Sequence, residues 1–148
     1  MLSETLKTLF SRDLNKLREE LESYQNEENI WRIDKNILNS AGNLCLHLIG
    51  NLKTYIGAEL GGINYTRNRP EEFSKKDVPR SQLVEQIEQT ITIIENTLAG
   101  LTADRLESEY PLEVLTGKMS TEFFLVHLAM HLSYHLGQVN YHRRMLDC

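Results

Sequence analysis

The chain has 148 residues, of which 41% are hydrophobic and 25% are charged, and its formal net charge is −5. This length and composition are ordinary for one globular domain with its own core, and they exclude an intrinsically disordered chain. The acidic balance argues against a nucleic acid or an anionic membrane as the main partner, because both attract basic surfaces.

The first half of the chain carries two segments with the hydrophobic periodicity of amphipathic helices. The first runs roughly from Ser3 to Tyr24, with leucine residues recurring at steps of three and four. The second begins near Asn39 or Ser40, because both residues are good N-caps, and runs to about Leu60. A Gly-Gly pair follows directly and predicts the end of this helix.

Two further helices are predicted in the second half of the chain. The third opens near Pro79 to Ser81, where proline suits a first helical turn, and it ends at Gly100. Its β-branched residues could indicate a strand, but the segment is too long and its spacing is helical. The fourth starts after Ser120 and continues to about Met145.

The connections between these helices complete the fold prediction. Residues 61–78 form a polar loop between the second and third helices, and residues 101–119 have room for a short helix or an extended piece. Strand signals are too sparse for a sheet. Four long amphipathic helices with two longer connections predict an all-α four-helix bundle in a single domain, residues 1–148.

Only two cysteines are present, Cys45 within an apolar segment and Cys148 at the last position. This number is too small for a disulfide framework, so we expect a reducing compartment, the cytoplasm. Cys45 is expected to be an ordinary buried thiol rather than a nucleophile. No signal peptide and no apolar stretch of membrane-spanning length is recognisable, so no membrane partner is expected.

Histidines are concentrated on the predicted fourth helix, which carries His127, His131, His135 and His142. At about 100° per residue, these side chains and Gln138 lie within about 40° of His131 and form one stripe. Steps of four make neighbours of His127 and His131, and of His131 and His135. A protein core gains nothing from several desolvated imidazoles, so a divalent metal site is as good an interpretation of the stripe as a structural role.

A third ligand would have to come from another element, and His47 on the second helix is the only other histidine. On its own, His47 would more often be a hydrogen-bonded core residue. Three histidines with one open position are typical of a catalytic rather than a structural zinc site. Spacing alone leaves open whether His127 or His135 joins His131. His142, close to the C-terminus, is expected on a solvated face.

Several sharper catalytic motifs are absent from the chain. The predicted fourth helix lacks the glutamate of the HExxH metalloproteases, and no Glu-x-x-His pair of the di-iron bundles occurs. We assign no role to Tyr134 or Tyr141, which lie off the histidine stripe. Asn43, Asn51 and Gln138 could orient ligand rings, but structural hydrogen bonding explains them equally well.

The segment from His127 to Gln138, His-Leu-Ala-Met-His-Leu-Ser-Tyr-His-Leu-Gly-Gln, resembles the C-terminal signature of the DinB/YfiT-like superfamily. That signature places His-x-x-x-His directly before a residue, Gly and Gln. The segment from Asn43 to Asn51 resembles the second-helix motif of the same superfamily. The resemblance spans essentially the whole chain, since the length and the order of the elements agree as well.

The resemblance implies an up-down-down-up four-helix bundle that is commonly a homodimer. By position, His47, His131 and His135 match the three metal ligands of the superfamily. His127 matches a position that is often histidine but is not one of those three. The ion implied is a divalent metal, zinc or nickel first, although histidine ligands alone suit copper and iron as well.

The resemblance also indicates a class of activity. Relatives include S-transferases that use a low-molecular-weight thiol, bacillithiol or mycothiol, and a maleylpyruvate isomerase. We therefore expect a metal-dependent enzyme with a small-molecule substrate, acting through a thiol that attacks as thiolate or through hydrolysis by water. No catalytic residue is identifiable besides the ligands. The alternatives are a non-enzymatic metal-binding stress-response protein and a bundle whose site is vestigial.

Overall fold

Six α-helices make up most of the computed structural model, which describes residues 1–148 and contains no β-strand. They are α1 (Leu2–Ser23), α2 (Ala41–Leu52), α3 (Arg69–Ser74), α4 (Arg80–Ala99), α5 (Ala103–Glu107) and α6 (Thr121–Leu146). A 3₁₀ helix, Glu27–Trp31, lies between α1 and α2, and a π-helix, Lys53–Ala58, continues α2. The all-α prediction is therefore confirmed. No helix combines the length and the hydrophobicity that crossing a membrane requires.

The four long helices predicted from periodicity are all present. Three have bounds close to those expected, whereas α2 ends at Leu52 and the π-helix extends the second helical segment to Ala58, short of the predicted Leu60. Ser40 and Ser120 cap their helices, because each side chain accepts a hydrogen bond at 3.1 Å from a backbone N–H, of Asn43 and of Phe123 respectively. Ser3, near which the first helix was predicted to begin, is buried inside α1, which begins one residue earlier, at Leu2. A short helix was anticipated where α5 lies, whereas α3 and the 3₁₀ helix were not predicted.

The long helices form a bundle in which α1 packs against α4 and α6, and α2 packs against the same two helices. α1 and α2 therefore occupy one diagonal of the bundle, and α4 and α6 occupy the other. The chain must cross the end of the bundle to pass from α1 to α2 and from α4 to α6, which explains the long connections 24–40 and 100–120. Fully buried side chains fill the core between the helices, among them Phe10, Leu48, Ile87 and Phe124.

Every residue of α2 is buried, because α3, α4, α6 and the 3₁₀ helix surround it. Three polar side chains follow one another on this helix at steps of four, Asn43, His47 and Asn51, and each needs a polar partner in such surroundings. Nδ2 of Asn43 donates to the backbone carbonyls of Glu72 at 3.0 Å and Lys75 at 2.8 Å. These bonds hold α3 against α2 and bring the side chain of Glu72 beside His47.

Cys45 also lies on α2 and has no exposed surface. Burial raises the pKa of its thiol to about 12. A thiol that does not ionise near neutral pH is a poor nucleophile, so the prediction of an ordinary buried thiol is confirmed. Cys148 is exposed, and neither cysteine forms a disulfide.

Candidate metal centre

Three histidines from two helices face one another between α2 and α6. The Nε2 atom of His131 lies 3.3 Å from that of His47 and 3.1 Å from that of His135. All three ligand atoms lie within 4.8 Å of one another. Two nitrogen ligands of tetrahedral zinc are about 3.3 Å apart when each Zn–N bond is about 2.0–2.1 Å long. These side chains could therefore hold one metal ion.

His127 does not join this cluster, although it is as close to His131 in sequence as His135 is. Its ring stacks on Phe124, with centroids 5.8 Å apart. The ring centroids of His127 and His131 are 6.5 Å apart, against 4.6 Å for His131 and His135. The fold therefore selects His131 and His135 as the pair on α6 that meets His47.

Glu72 orients the ring of His47. We assign the ring proton to Nδ1, which donates to Oε1 of Glu72 at 3.1 Å, and both side chains are buried. Arg67 holds the same carboxylate through two bonds, from Nε to Oε2 at 2.8 Å and from Nη2 to Oε1 at 2.9 Å. With its proton on Nδ1, His47 presents a lone pair at Nε2, which is the form that binds a metal.

Gln138 orients His135 in the same way. Its Oε1 accepts a hydrogen bond from Nδ1 of His135 at 2.7 Å. Of the three amide side chains considered for such a role, Gln138 alone forms a hydrogen bond with a histidine of the cluster. Asn43 bonds to the chain around α3 instead, and Oδ1 of Asn51 is buried with no hydrogen-bond partner.

Burial keeps His47 and His131 neutral. Burial, together with the neighbouring imidazoles of His135 and His47, lowers the pKa of His131 to about 4. Burial also lowers the pKa of His47, although the hydrogen bond and the charge of Glu72 oppose this shift. Both rings are therefore unprotonated at neutral pH, as metal binding requires.

Hydrogen bonding among the three rings cannot satisfy all of their nitrogen atoms. The Nε2 lone pairs of His47 and His135 both face Nε2 of His131, which carries one proton at most. When that proton is on Nδ1 of His131 instead, it is buried without a hydrogen-bond partner. A cation among the three Nε2 atoms would satisfy their lone pairs together, so the residues present fit a divalent metal ion.

Glu72 and Arg67 were missed because both lie in the stretch interpreted as a polar loop. The sequence did contain an indication of α3, since Asn68 followed by Pro70 is typical of a helix start. Asn68 does cap α3. A second signal is Gly50 on α2, where a Cβ atom would overlap the carboxylate of Glu72. Glycine at this position lets the carboxylate approach the α2 backbone.

A pocket of about 280 Å³ opens beside the histidine cluster. Its polar walls come from Asn51, Arg67, Arg69 and His127. Arg69 makes no ion pair within the chain, and its guanidinium lies 5.5 Å from the ring centroid of Phe73. No carboxylate lines the pocket, and Glu72 already pairs with Arg67. The unpaired charge of Arg69 therefore makes the pocket suitable for a small anionic molecule.

The sequence profile of DUF1572, described as a protein of unknown function, matches residues 3–148. The chain belongs to the DUF1572 family. A crystal structure of a conserved protein from Enterococcus faecalis is similar to this DUF1572 protein, with a TM-score of 0.77 and 16% identity. The similarity covers 99% of this chain and 97% of that chain, and at such identity it shows the fold alone. No functionally curated protein matches the chain.

His142 of this DUF1572 protein was expected on a solvated face, and that prediction was wrong. Its ring is buried, accepts a hydrogen bond at Nδ1 from the hydroxyl of Tyr24 at 2.7 Å, and donates from Nε2 to the carbonyl of Arg32 at 2.8 Å. The reason is the 3₁₀ helix after α1, which packs against α6 and was not predicted. His142 therefore connects that segment to the end of α6 and lies outside the cluster of His47, His131 and His135.

We expect His142 to make the metal-free protein less stable as the pH falls below about 6.5. Burial lowers its pKa from the ordinary value of 6.5, so the unfolded chain takes up the proton first and stability falls with pH. His142→Gln should lower stability at pH 7 but reduce the loss between about pH 6.5 and pH 5. Urea unfolding across this range measures both proteins, and parallel stability curves would contradict the prediction.

Proposed function

We propose that this chain is a metal-dependent enzyme of the DinB/YfiT-like superfamily that binds one divalent ion, zinc or nickel, through His47, His131 and His135. The observation that supports this most is the meeting of three Nε2 atoms, two of them on rings that Glu72 and Gln138 already orient. Three histidine ligands leave one coordination position open in a tetrahedral site, as in catalytic zinc enzymes.

The reaction we propose is S-transfer from a low-molecular-weight thiol, with a related hydrolysis as its variant. A divalent ion held by the histidines would supply Lewis acidity, which lowers the pKa of a thiol or of water. Arg69 lines the adjoining pocket and has no ion pair within the chain, so it would attract a thiolate or a carboxylate on the thiol cofactor. Val114 and Phe124 add apolar wall, which would keep water from the small-molecule electrophile.

A second candidate is a non-enzymatic metal-binding protein of a stress response, or a vestigial site. The observation that favours it is the lack of a free carboxylate to move a proton, since Glu72 is bound by both Arg67 and His47. We favour S-transfer over this second candidate because a thiol with a lowered pKa needs no general base. Two unpaired cysteines agree with a reducing cytoplasm for either function.

The first test is the metal content of protein purified without an affinity tag and loaded with Zn²⁺ or Ni²⁺. We expect about one equivalent of metal in the wild type and its loss in His131→Ala. His127→Ala is the matched control, because His127 lies one turn away on the same helix and outside the cluster, so it should keep the metal. A wild type that binds no metal, or equal loss in both variants, would reject the site.

Catalysis needs a separate measurement on the metal-loaded protein. Consumption of a free thiol is followed in the presence of a panel of alkyl and epoxide electrophiles, and hydrolysis of a panel of small amides and esters is followed in parallel. The proposal expects thiol consumption that disappears in His131→Ala. Bound metal without either reaction would favour the non-enzymatic candidate.

A further inference from the structure

Two buried polar atoms beside the histidine cluster have no hydrogen-bond partner. They are Nδ1 of His131 and Oδ1 of Asn51, and both residues line the pocket that opens beside the cluster. A polar atom that is buried without a partner costs free energy, so each of the two requires an explanation. An imidazole nitrogen that carries the ring proton donates, whereas an amide oxygen accepts, so the two atoms can complement each other.

The register of the two helices places Asn51 beside His131. The ring centroids of His47 and His131 are 5.1 Å apart. Those of Tyr55 and Phe124 are 5.3 Å apart, so α2 with its π-helical extension runs antiparallel to α6. Asn51 is midway along the chain between His47 and Tyr55, and it therefore faces the turn of α6 that precedes His131. Because side chains tilt towards the N-terminus of their own helix, Asn51 and His131 lean towards each other.

The proton of the His131 ring decides whether these two atoms can bond. When Nε2 binds an ion, the ring proton must be on Nδ1, which is then a donor. Oδ1 of Asn51 can accept from it once the amide turns towards the ring. In the other tautomer Nδ1 is an acceptor like Oδ1, and the two atoms cannot bond. The bond can therefore form only with the tautomer that metal binding requires.

We propose that Asn51 is the positioning residue of His131 and accepts a hydrogen bond from its Nδ1 when an ion is bound at Nε2. Each of the three metal-binding rings then has its own acceptor, since Glu72 and Gln138 already orient the other two. This inference rests on the proposed metal site, and it supplies the acceptor that the third ligand needs.

The other polar groups near these atoms do not replace Asn51. Arg67 and Arg69 line the same pocket, but a guanidinium only donates, so neither can accept from Nδ1 of His131. Thr54 lies three residues after Asn51, and its hydroxyl is also buried without a partner. Thr54 does not line the pocket, so it provides a matched control on the same segment.

The affinity of the purified protein for Zn²⁺, measured by isothermal titration calorimetry, tests this proposal. Asn51→Leu nearly keeps the shape of the side chain and removes the acceptor, so we expect the affinity to fall by about 10- to 100-fold. The melting temperature of the metal-free variant should not fall, because leucine replaces a buried oxygen that has no partner. Thr54→Val removes the other buried hydroxyl and should keep the wild-type affinity.

Two further measurements test the direction of the hydrogen bond. Asn51→Asp has acceptors only, so it should bind Zn²⁺ at least as tightly as the wild type. In NMR spectra of zinc-loaded protein that is isotope-labelled at histidine, Nδ1 of His131 should carry a proton that exchanges slowly with solvent. This exchange should be faster in Asn51→Leu.

The outcomes separate this proposal from the metal site on which it rests. Equal affinities of the wild type and Asn51→Leu would overturn the role of Asn51 and leave the metal site in place. An affinity of Asn51→Asp as low as that of Asn51→Leu would do the same, because the amide would then act as a donor. A wild type that binds no Zn²⁺ would overturn both proposals.

Discussion

Glu72→Ala is expected to lower the affinity for Zn²⁺ or Ni²⁺ by about 10- to 100-fold, because His47 loses the acceptor that orients its ring. The same substitution should reduce the free energy of unfolding of the metal-free protein by about 3–5 kcal/mol. This second loss arises because Arg67, whose side chain is only 14% exposed, would keep its charge without a partner. Isothermal titration calorimetry and urea unfolding measure the two effects separately.

Glu71→Ala is the matched control for that experiment. Glu71 lies next to Glu72 on α3, but its carboxylate pairs with Lys75 at 3.3 Å on the exposed surface. An exposed pair of this kind contributes less than about 1 kcal/mol, so both affinity and stability should change little. Were Glu72→Ala to behave like Glu71→Ala, the orienting role that we assign to Glu72 would be wrong.

Gly50→Ala should disturb the metal centre without touching any ligand. The new Cβ would overlap the carboxylate of Glu72, which Arg67 and His47 hold in place, so the whole group must shift. We expect a loss of about 1–3 kcal/mol in the free energy of unfolding, despite the better helix propensity of alanine. Metal affinity should fall by about tenfold or more, as for other changes behind a metal ligand.

Gly42→Ala separates a local effect from a general loss of stability. Gly42 is on the same helix, and a Cβ there would lie 2.6 Å from ring atoms of Trp31, away from the histidine cluster. We expect destabilisation comparable to that of Gly50→Ala with unchanged metal affinity. If both glycine variants lose metal affinity equally, the effect of Gly50→Ala comes from weakened packing of α2 and not from Glu72.

The long helices could be predicted from the sequence because each buries one continuous stripe, and periodicity reports that stripe directly. The histidines of α6 were recognisable for the same reason. The choice between His127 and His135 was not, since both lie about 40° from His131 on the helix. That choice depends on where α2 places His47, which is a tertiary contact that only the resemblance to a known superfamily anticipated.

Two features escaped prediction because they depend on the path of irregular segments. Glu72 reaches His47 only because Asn43 holds the chain after α3 against α2. His142 is buried only because the 3₁₀ helix turns back onto α6. In both cases the sequence predicts that a polar side chain is exposed to solvent. The partner that buries this side chain lies on a connection without clear periodicity.

The distance along the chain between the histidines has a consequence for how the protein is made. His47 and His131 are 84 residues apart, so their nitrogen atoms meet only after the chain has closed a loop of that length. Closing such a loop is slow compared with forming the helices themselves, so we expect the α2–α6 contact to form late in folding. A ribosome must release the chain as far as His135 before the three imidazoles can come together. The ion would therefore enter a bundle whose helices have already packed, and it would retard opening of the bundle more than it hastens assembly.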